Sequence, residues 1–103
     1  MKSVNIGIIG GGLMGREMAS AFARWCALTD VSVRPVLTAV ADLNPATLSW
    51  FDCIPSCTQK TTDYKALLAN PDVDVVYVAV PHNLHEQLYC DVLAAGKDLF
   101  AEK

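Results

Sequence analysis

Near the start of this chain a cluster of glycines joins two unlike stretches. Val4 to Ile9 is dominated by Val and Ile, as a buried strand is, while Leu13 to about Leu28 carries Met14, Met18, Phe22 and Trp25 at helical spacing on one face. Between them, Gly10-Gly11-Gly12-Leu13-Met14-Gly15 puts glycine at the three fixed places of G-x-G-x-x-G. The pattern alone is weak; a strand before it and a helix after it make it restrictive. Gly10 permits a tight turn, Gly12 lacks the β-carbon that would hold a pyrophosphate off the backbone, and Gly15 lets the helix lie close on the strand. The free N–H groups near Gly12 to Met14 then face an anion at the positive end of the helix, worth ~0.3–2 kcal/mol. The plainer alternative is a turn that serves packing only.

The remaining chain alternates in the same way. Asp30 to Pro35 is expected to be a loop, Val36 to Ala41 a second strand, and Asn44-Pro45 the cap and first residue of a short helix. A short third strand is expected around Ser56 to Lys60. Asp63 caps a helix with Tyr64, Leu67 and Leu68 on its apolar face, stopped by Asn70-Pro71. Val73 to Val80 is the most strand-like run, Asn83 to Ala95 a helix ended by Gly96, and Leu99 to Glu102 the start of a fifth strand. Strands that are apolar throughout need cover on both faces, and helical crossovers supply it while making the strands parallel. The expected fold is one α/β domain over residues 1–103, an open doubly wound parallel sheet.

Composition excludes some functions. Half the residues are hydrophobic (52%), so the chain is not a disordered tail. Eight Lys+Arg against eleven Asp+Glu leave a net charge of −3, which argues against a nucleic-acid partner. The longest apolar run, Val75 to Val80, is far below the roughly 18 residues of a membrane span. Asn5, five glycines and Arg16-Glu17 spoil the resemblance of the N-terminus to an export signal. Cys26, Cys53, Cys57 and Cys90 form no C-x-x-C pair, so reduced thiols in a cytoplasm are expected, with no metal site.

A dinucleotide site also wants a carboxylate at the end of the second strand, to accept the adenosine ribose hydroxyls. Asp42 ends Val36 to Ala41 and meets that need, although it lies farther past Gly15 than the usual ~20 residues. Asp30 competes, but it follows a helix rather than a strand, and the plain alternative is that Asp42 merely caps a turn. A carboxylate here favours NAD over NADP. At about 4 Å and an effective dielectric near 20 it repels one phosphate charge by roughly 4 kcal/mol before screening, and Leu43-Asn44 offer no Arg to offset that.

Ligands in such sheets gather at the carboxyl ends of the strands. Val80-Pro81-His82-Asn83-Leu84-His85 stands at one of those ends, and Glu102-Lys103 at another. His82 and His85 do not make a zinc motif, since His82-Asn83-Leu84-His85-Glu86 is neither H-E-x-x-H nor a reordering of it. A capping turn with two polar tips is the plain alternative. A lysine at a strand end can act on a hydroxyl being oxidised, although by composition Lys103 is only a C-terminal lysine.

Taken together, the glycine turn, Ala41-Asp42, Asp63-Tyr64, Asp74 to His85, Ala95-Gly96-Lys97 and Glu102-Lys103 resemble the N-terminal domain of the glucose–fructose oxidoreductase / inositol dehydrogenase / MocA (Gfo/Idh/MocA) family. The P-x-x-x-H and A-G-K-x-x-x-x-E-K patterns carry the resemblance more specifically than the glycines. It implies a Rossmann fold that binds NAD(P). Gly10, Gly12, Leu13 and Met14 would cradle the pyrophosphate, with Gly15 closing the turn, and Asp42 would hold the ribose. Val80, Pro81, His82 and His85 would line the path to the nicotinamide. Glu102 and Lys103 would match the family's E-K-P, whose lysine contacts the nicotinamide ribose and the substrate hydroxyl, making Lys103 the catalytic candidate. His82 departs from the Asn of many members, and the sequence stops before the expected Pro. By the same resemblance the parent protein is a dehydrogenase moving a hydride between NAD(P) and a hydroxyl of a sugar or cyclic polyol. By that reading residues 1–103 are expected to lack the family's substrate domain, so this chain alone is expected to bind cofactor without turnover and to self-associate through an open sheet edge. A non-catalytic NAD-binding sensor or interaction module is the alternative, and a binder of S-adenosylmethionine fits the glycine spacing less well.

Overall fold

The computed structural model describes residues 2–23, 33–80 and 85–101. Strand β1 (Lys2–Ile9) leads through the glycine turn into helix α1 (Leu13–Ala23), and β2 (Val33–Ala41) follows. A short helix α2 (Pro45–Leu48) runs into a 3-10 turn over Ser49–Cys53, then come β3 (Gln59–Thr61) and α3 (Tyr64–Leu68). The chain finishes with β4 (Val75–Val78), α4 (His85–Ala94) and β5 (Asp98–Ala101). No helix among the described residues is long and apolar enough to cross a membrane.

All five strands pair in parallel, in the order β3-β2-β1-β4-β5. The chain winds outward from β1 to β3, then crosses back to the other side of β1 for β4 and β5. This reversal makes the carboxyl ends of β1 and β4 a topological switch point, where a crevice opens between diverging loops.

Strand side chains alternate between two buried faces, which is why these strands are apolar throughout. Ile8, Val40 and Tyr77 pack with Ala19 of α1 and with Leu48, Phe51 and Ile54 around α2. Ile9, Ala39, Ala41, Val76 and Val78 pack with Leu67 and Leu68 of α3 and with Leu88 and Val92 of α4. The caps form as the sequence requires. Asn44 Oδ1 accepts from Ala46 N at 3.0 Å, and Asp63 Oδ1 from Lys65 N at 2.9 Å. Gly96 takes φ +78° just beyond α4, the left-handed residue that ends a helix.

Several boundaries differ from the sequence expectations. The stretch expected to be a loop up to Pro35 instead joins β2 from Val33 onward, with Pro35 opposite Val4. Proline is tolerated because β3 pairs only with Ala39–Ala41, so the lower part of β2 is an edge where an N–H is not needed. The third strand is displaced to Gln59–Thr61, and β4 is trimmed to Val75–Val78. Met14 is 44% exposed and not on the buried stripe of α1. The expected continuation of α1 to Leu28, with Trp25, and the start of the last helix at Asn83 lie outside the described residues.

Candidate functional site

The glycine turn is pinned between two strands. Gly10 N donates to Ala41 O at 2.8 Å, and Ala79 N donates to Ile9 O at 2.8 Å. Gly10 adopts φ +101°, and a β-carbon there would come within 2.5 Å of the Ala79 carbonyl oxygen. A β-carbon on Gly15 would collide with the Gly10 carbonyl oxygen. Gly12 is different, since a β-carbon there meets nothing within 4 Å. The fold therefore requires the first and third glycines, whereas the middle one keeps clear a space that no protein atom fills. A diphosphate approaching the backbone needs that clearance.

Asp42 follows β2 directly, and its N–H is held by Thr61 O at 3.1 Å. Its Oδ2 accepts from Gly11 N at 2.7 Å and its Oδ1 from Asn44 N at 2.8 Å. Two backbone donors thus orient the carboxylate, one on each oxygen. An ionised carboxylate has about four lone-pair sites, so acceptor capacity is left for a ligand. The competing Asp30 lies outside the described residues.

Turn and acid share one crevice of about 580 Å³, within the range of ligand pockets. Ile9, Gly10, Gly12, Ala41, Asp42 and Ala79 form its near side, while Leu43, Thr62, Tyr64, Val80, Gln87 and Leu88 complete it. Leu43 is 84% exposed at its rim, an apolar side chain left in water unless something covers it. Tyr64 is held from behind: its hydroxyl donates to Asp91 Oδ2 at 2.5 Å, and Gln87 Nε2 donates to Asp91 Oδ1 at 2.9 Å. The bond to Asp91 pushes the Tyr64 hydroxyl above its usual pKa, with slight burial and the charges of Asp91 and Asp63 acting in the same sense. It therefore remains a donor at neutral pH. A groove of similar size between α3 and α4, lined by Lys65, Asp91 and Lys97 among others, contains neither glycine turn nor acid, and Lys97 Nζ is already bonded to Asn70 O at 2.7 Å.

Of the residues singled out in the sequence, Gly10, Gly12, Asp42 and Val80 come together around the crevice. Gly15 is buried beneath the turn, Leu13 begins α1, and Met14 is exposed beside them. His85 is the first residue of α4. Pro81, His82, Glu102 and Lys103 lie outside the described residues. Sequence reasoning missed Leu43, Thr62, Gln87 and Leu88, and placed Tyr64 only on a helix face. Leu43 could have been noticed as a large apolar residue directly after the acid.

A five-stranded parallel sheet with its glycine turn and carboxylate at the switch point defines a dinucleotide-binding Rossmann domain. Residues 4–103 match the model of the oxidoreductase family with an NAD-binding Rossmann fold, GFO_IDH_MocA, and the chain belongs to that family. It is 31% identical over 104 residues to a levoglucosan dehydrogenase of Pseudarthrobacter phenanthrenivorans, covering 100% of this chain and 27% of the relative. An inositol 2-dehydrogenase of Acidothermus cellulolyticus is 31% identical over 102 residues, covering 99% and 28%. Among solved structures, levoglucosan dehydrogenase in complex with NADH and L-sorbose superposes with a TM-score of 0.88 at 30% identity, over 100% of this chain and 28% of the other. The chain thus spans little more than a quarter of the length of these relatives.

Proposed function

We propose that residues 1–103 form the cofactor-binding domain of a dehydrogenase acting on a hydroxyl of a sugar or cyclic polyol. The observation that carries this reading is the Asp42 carboxylate, tied to Gly11 at 2.7 Å and to Asn44 at 2.8 Å, beside a turn whose Gly12 leaves open space. The substrates in the names of the levoglucosan and inositol dehydrogenases support the sugar or polyol class.

Bound NAD supplies the redox chemistry by accepting or releasing a hydride. The protein's part is to hold and orient. Gly10, Gly12, Leu13 and Met14 take the diphosphate on backbone N–H groups, and Gly15 keeps α1 close behind them. Asp42 accepts the adenosine ribose hydroxyls. Val80, Pro81, His82 and His85 line the way to the nicotinamide. Glu102 and Lys103 meet the nicotinamide ribose, and Lys103 helps polarise or deprotonate the substrate hydroxyl. The 103 residues alone bind NAD but do not turn over substrate, because positioning and acid–base help depend on parts that the longer relatives have beyond this quarter. They also self-associate through the β5 edge, where Phe100 is 48% exposed.

Calorimetric titration with NAD, NADP and S-adenosylmethionine tests the reading. The expected order is NAD first, with Asp42→Asn weakening NAD about tenfold, as loss of one hydrogen bond to a charged group would. Failure of NAD to bind, or preference for S-adenosylmethionine, would overturn it.

A further inference from the structure

One carboxylate behind the crevice organises the wall formed by α3 and α4. Asp91 accepts from the Tyr64 hydroxyl through Oδ2 at 2.5 Å and from Gln87 Nε2 through Oδ1 at 2.9 Å. Asp91 lines the outer groove between the two helices, while Tyr64 and Gln87 line the crevice. An ionised carboxylate only accepts, so the Gln87 amide has to turn its nitrogen toward Asp91. That fixes what is left for a ligand: Oε1, which accepts from no group among the described residues, and the second N–H of Nε2. An acceptor and a donor side by side on one amide match the 6-amino group and N7 of adenine, the pairing by which Gln reads that base. They mismatch hypoxanthine, which has an oxygen at position 6 instead of an amino group. The other polar side chains of the crevice do not make this choice. The Thr62 hydroxyl donates or accepts as required. Tyr64 has committed its proton to Asp91, and a phenol oxygen is a weaker acceptor than an amide carbonyl. Leu43, Val80 and Leu88 supply apolar surface for the face of a purine.

We infer that Gln87 is a specificity-determining residue that selects a 6-aminopurine at the adenosine end of the cofactor, and that Asp91 is the positioning residue that sets its amide. The inference rests on the dinucleotide reading and adds to it which base is accepted and by which group. The base carried by a ribose on Asp42 lies within one sugar of that acid, beside Leu43. Gln87 stands on the flank of α4 that Asp91 joins to α3, the helix that follows β3. Replacing the carboxylate by an amide of the same shape should undo the choice. In Asp91→Asn the amide oxygen keeps the Tyr64 hydroxyl and the amide nitrogen donates to Gln87 Oε1. The Gln87 amide then turns over and offers N–H where it offered oxygen.

Calorimetric titrations of wild type, Gln87→Leu and Asp91→Asn with NAD and with nicotinamide hypoxanthine dinucleotide test this, with thermal melting to verify folding. Wild type should prefer NAD about five- to tenfold, as one hydrogen bond made in one case and mismatched in the other would give. Gln87→Leu should bind the two dinucleotides within about twofold of each other, and Asp91→Asn should lose or invert the preference. Asp91→Ala, which frees the amide to turn, should bring the ratio toward one and takes the place of Asp91→Asn if that variant does not fold. Tyr64→Phe leaves the Gln87–Asp91 bond in place and should keep the wild-type ratio. The ratio of the two affinities is the readout, because a merely structural role would weaken both alike. Wild type that binds both dinucleotides equally would overturn the inference, as would a ratio unchanged in Gln87→Leu. A ratio lost in Gln87→Leu but kept in both Asp91 variants would overturn the positioning role. Those outcomes leave the proposed function standing, whereas wild type that binds neither dinucleotide would overturn that function and the inference together.

Discussion

The glycine turn and the α3–α4 wall face each other across the same crevice, but one is made of backbone and the other of side chains. On the first side, Gly10 and Gly15 occupy places where any β-carbon meets a carbonyl oxygen, and the acid is tied to the turn through Gly11 N. On the second, Tyr64, Gln87 and Leu88 come from two helices joined by Asp91. A backbone wall has few ways to vary without collapse, whereas a side-chain wall can be altered one group at a time. The first side offers a tied carboxylate and a fixed turn, the second a mixture of apolar and polar side chains, Leu88 beside Tyr64 and Gln87.

The largest effect should come from Gly15→Val. Its branched side chain has to displace the Gly10 carbonyl, and a loss of about 3 kcal/mol is expected, read as a large fall in thermal midpoint. Gly12→Val should separate folding from binding on the same wall. Because its β-carbon meets nothing within 4 Å, stability should change by no more than ~0.5 kcal/mol, while NAD affinity in calorimetry falls at least about a hundredfold. If both variants lose stability equally, the distinction between the two glycines fails.

The opposite wall should give smaller numbers. Tyr64→Phe keeps the ring but removes the bond to Asp91, for a loss of about 1 kcal/mol, with NAD affinity changed less than threefold. This variant also has a pH signature. The folded-state pKa of Tyr64 is raised, so its contribution is fully present below the unfolded value near 10 and fades as pH rises through the folded one. The stability gap between wild type and Tyr64→Phe should therefore close in strongly alkaline buffer, as followed by denaturant titration. The smallest effect expected is a null one, in the core far from the wall. Cys57 is buried and its thiol is pushed up to about 11, chiefly by burial, with Lys60 opposing and Asp52 adding to the rise. Alkylation near pH 8 should label the exposed Cys53 and Cys90 and leave Cys57 unlabelled until the chain unfolds, as peptide mass spectrometry would show.

The same contrast explains what the sequence makes legible. The order of elements and the parallel sheet followed from runs such as Val75 to Val78, apolar on both faces, and from caps such as Asn44 and Asp63. The glycine turn was legible because its requirement is steric and local. Pro35 misled, since whether a proline breaks a strand depends on a neighbouring strand, here β3, which reaches only Ala39–Ala41. Tyr64 could not be assigned to the crevice because its placement depends on Asp91, in a different helix. Equally hidden was the Nε of Arg16, buried without a hydrogen-bond partner among the described residues: burial of a single atom is a property of the packed whole.

In β1 and β2 the pairing slips by one residue between Ile6 and Gly7, so that Leu37 and Ala39 have partners in β1 while Thr38 is passed over. Above that slip Ala39–Ala41 is gripped on both sides, by β1 and by β3; below it β2 has β1 alone. Thr38 thus acts as an expansion joint. Asp42 follows directly on the doubly paired segment above it, and Gly10 N, donating to Ala41 O at 2.8 Å, ties that segment to the glycine turn. A chain built this way can lengthen its first crossover, as this one has relative to the usual spacing, without detuning the carboxylate.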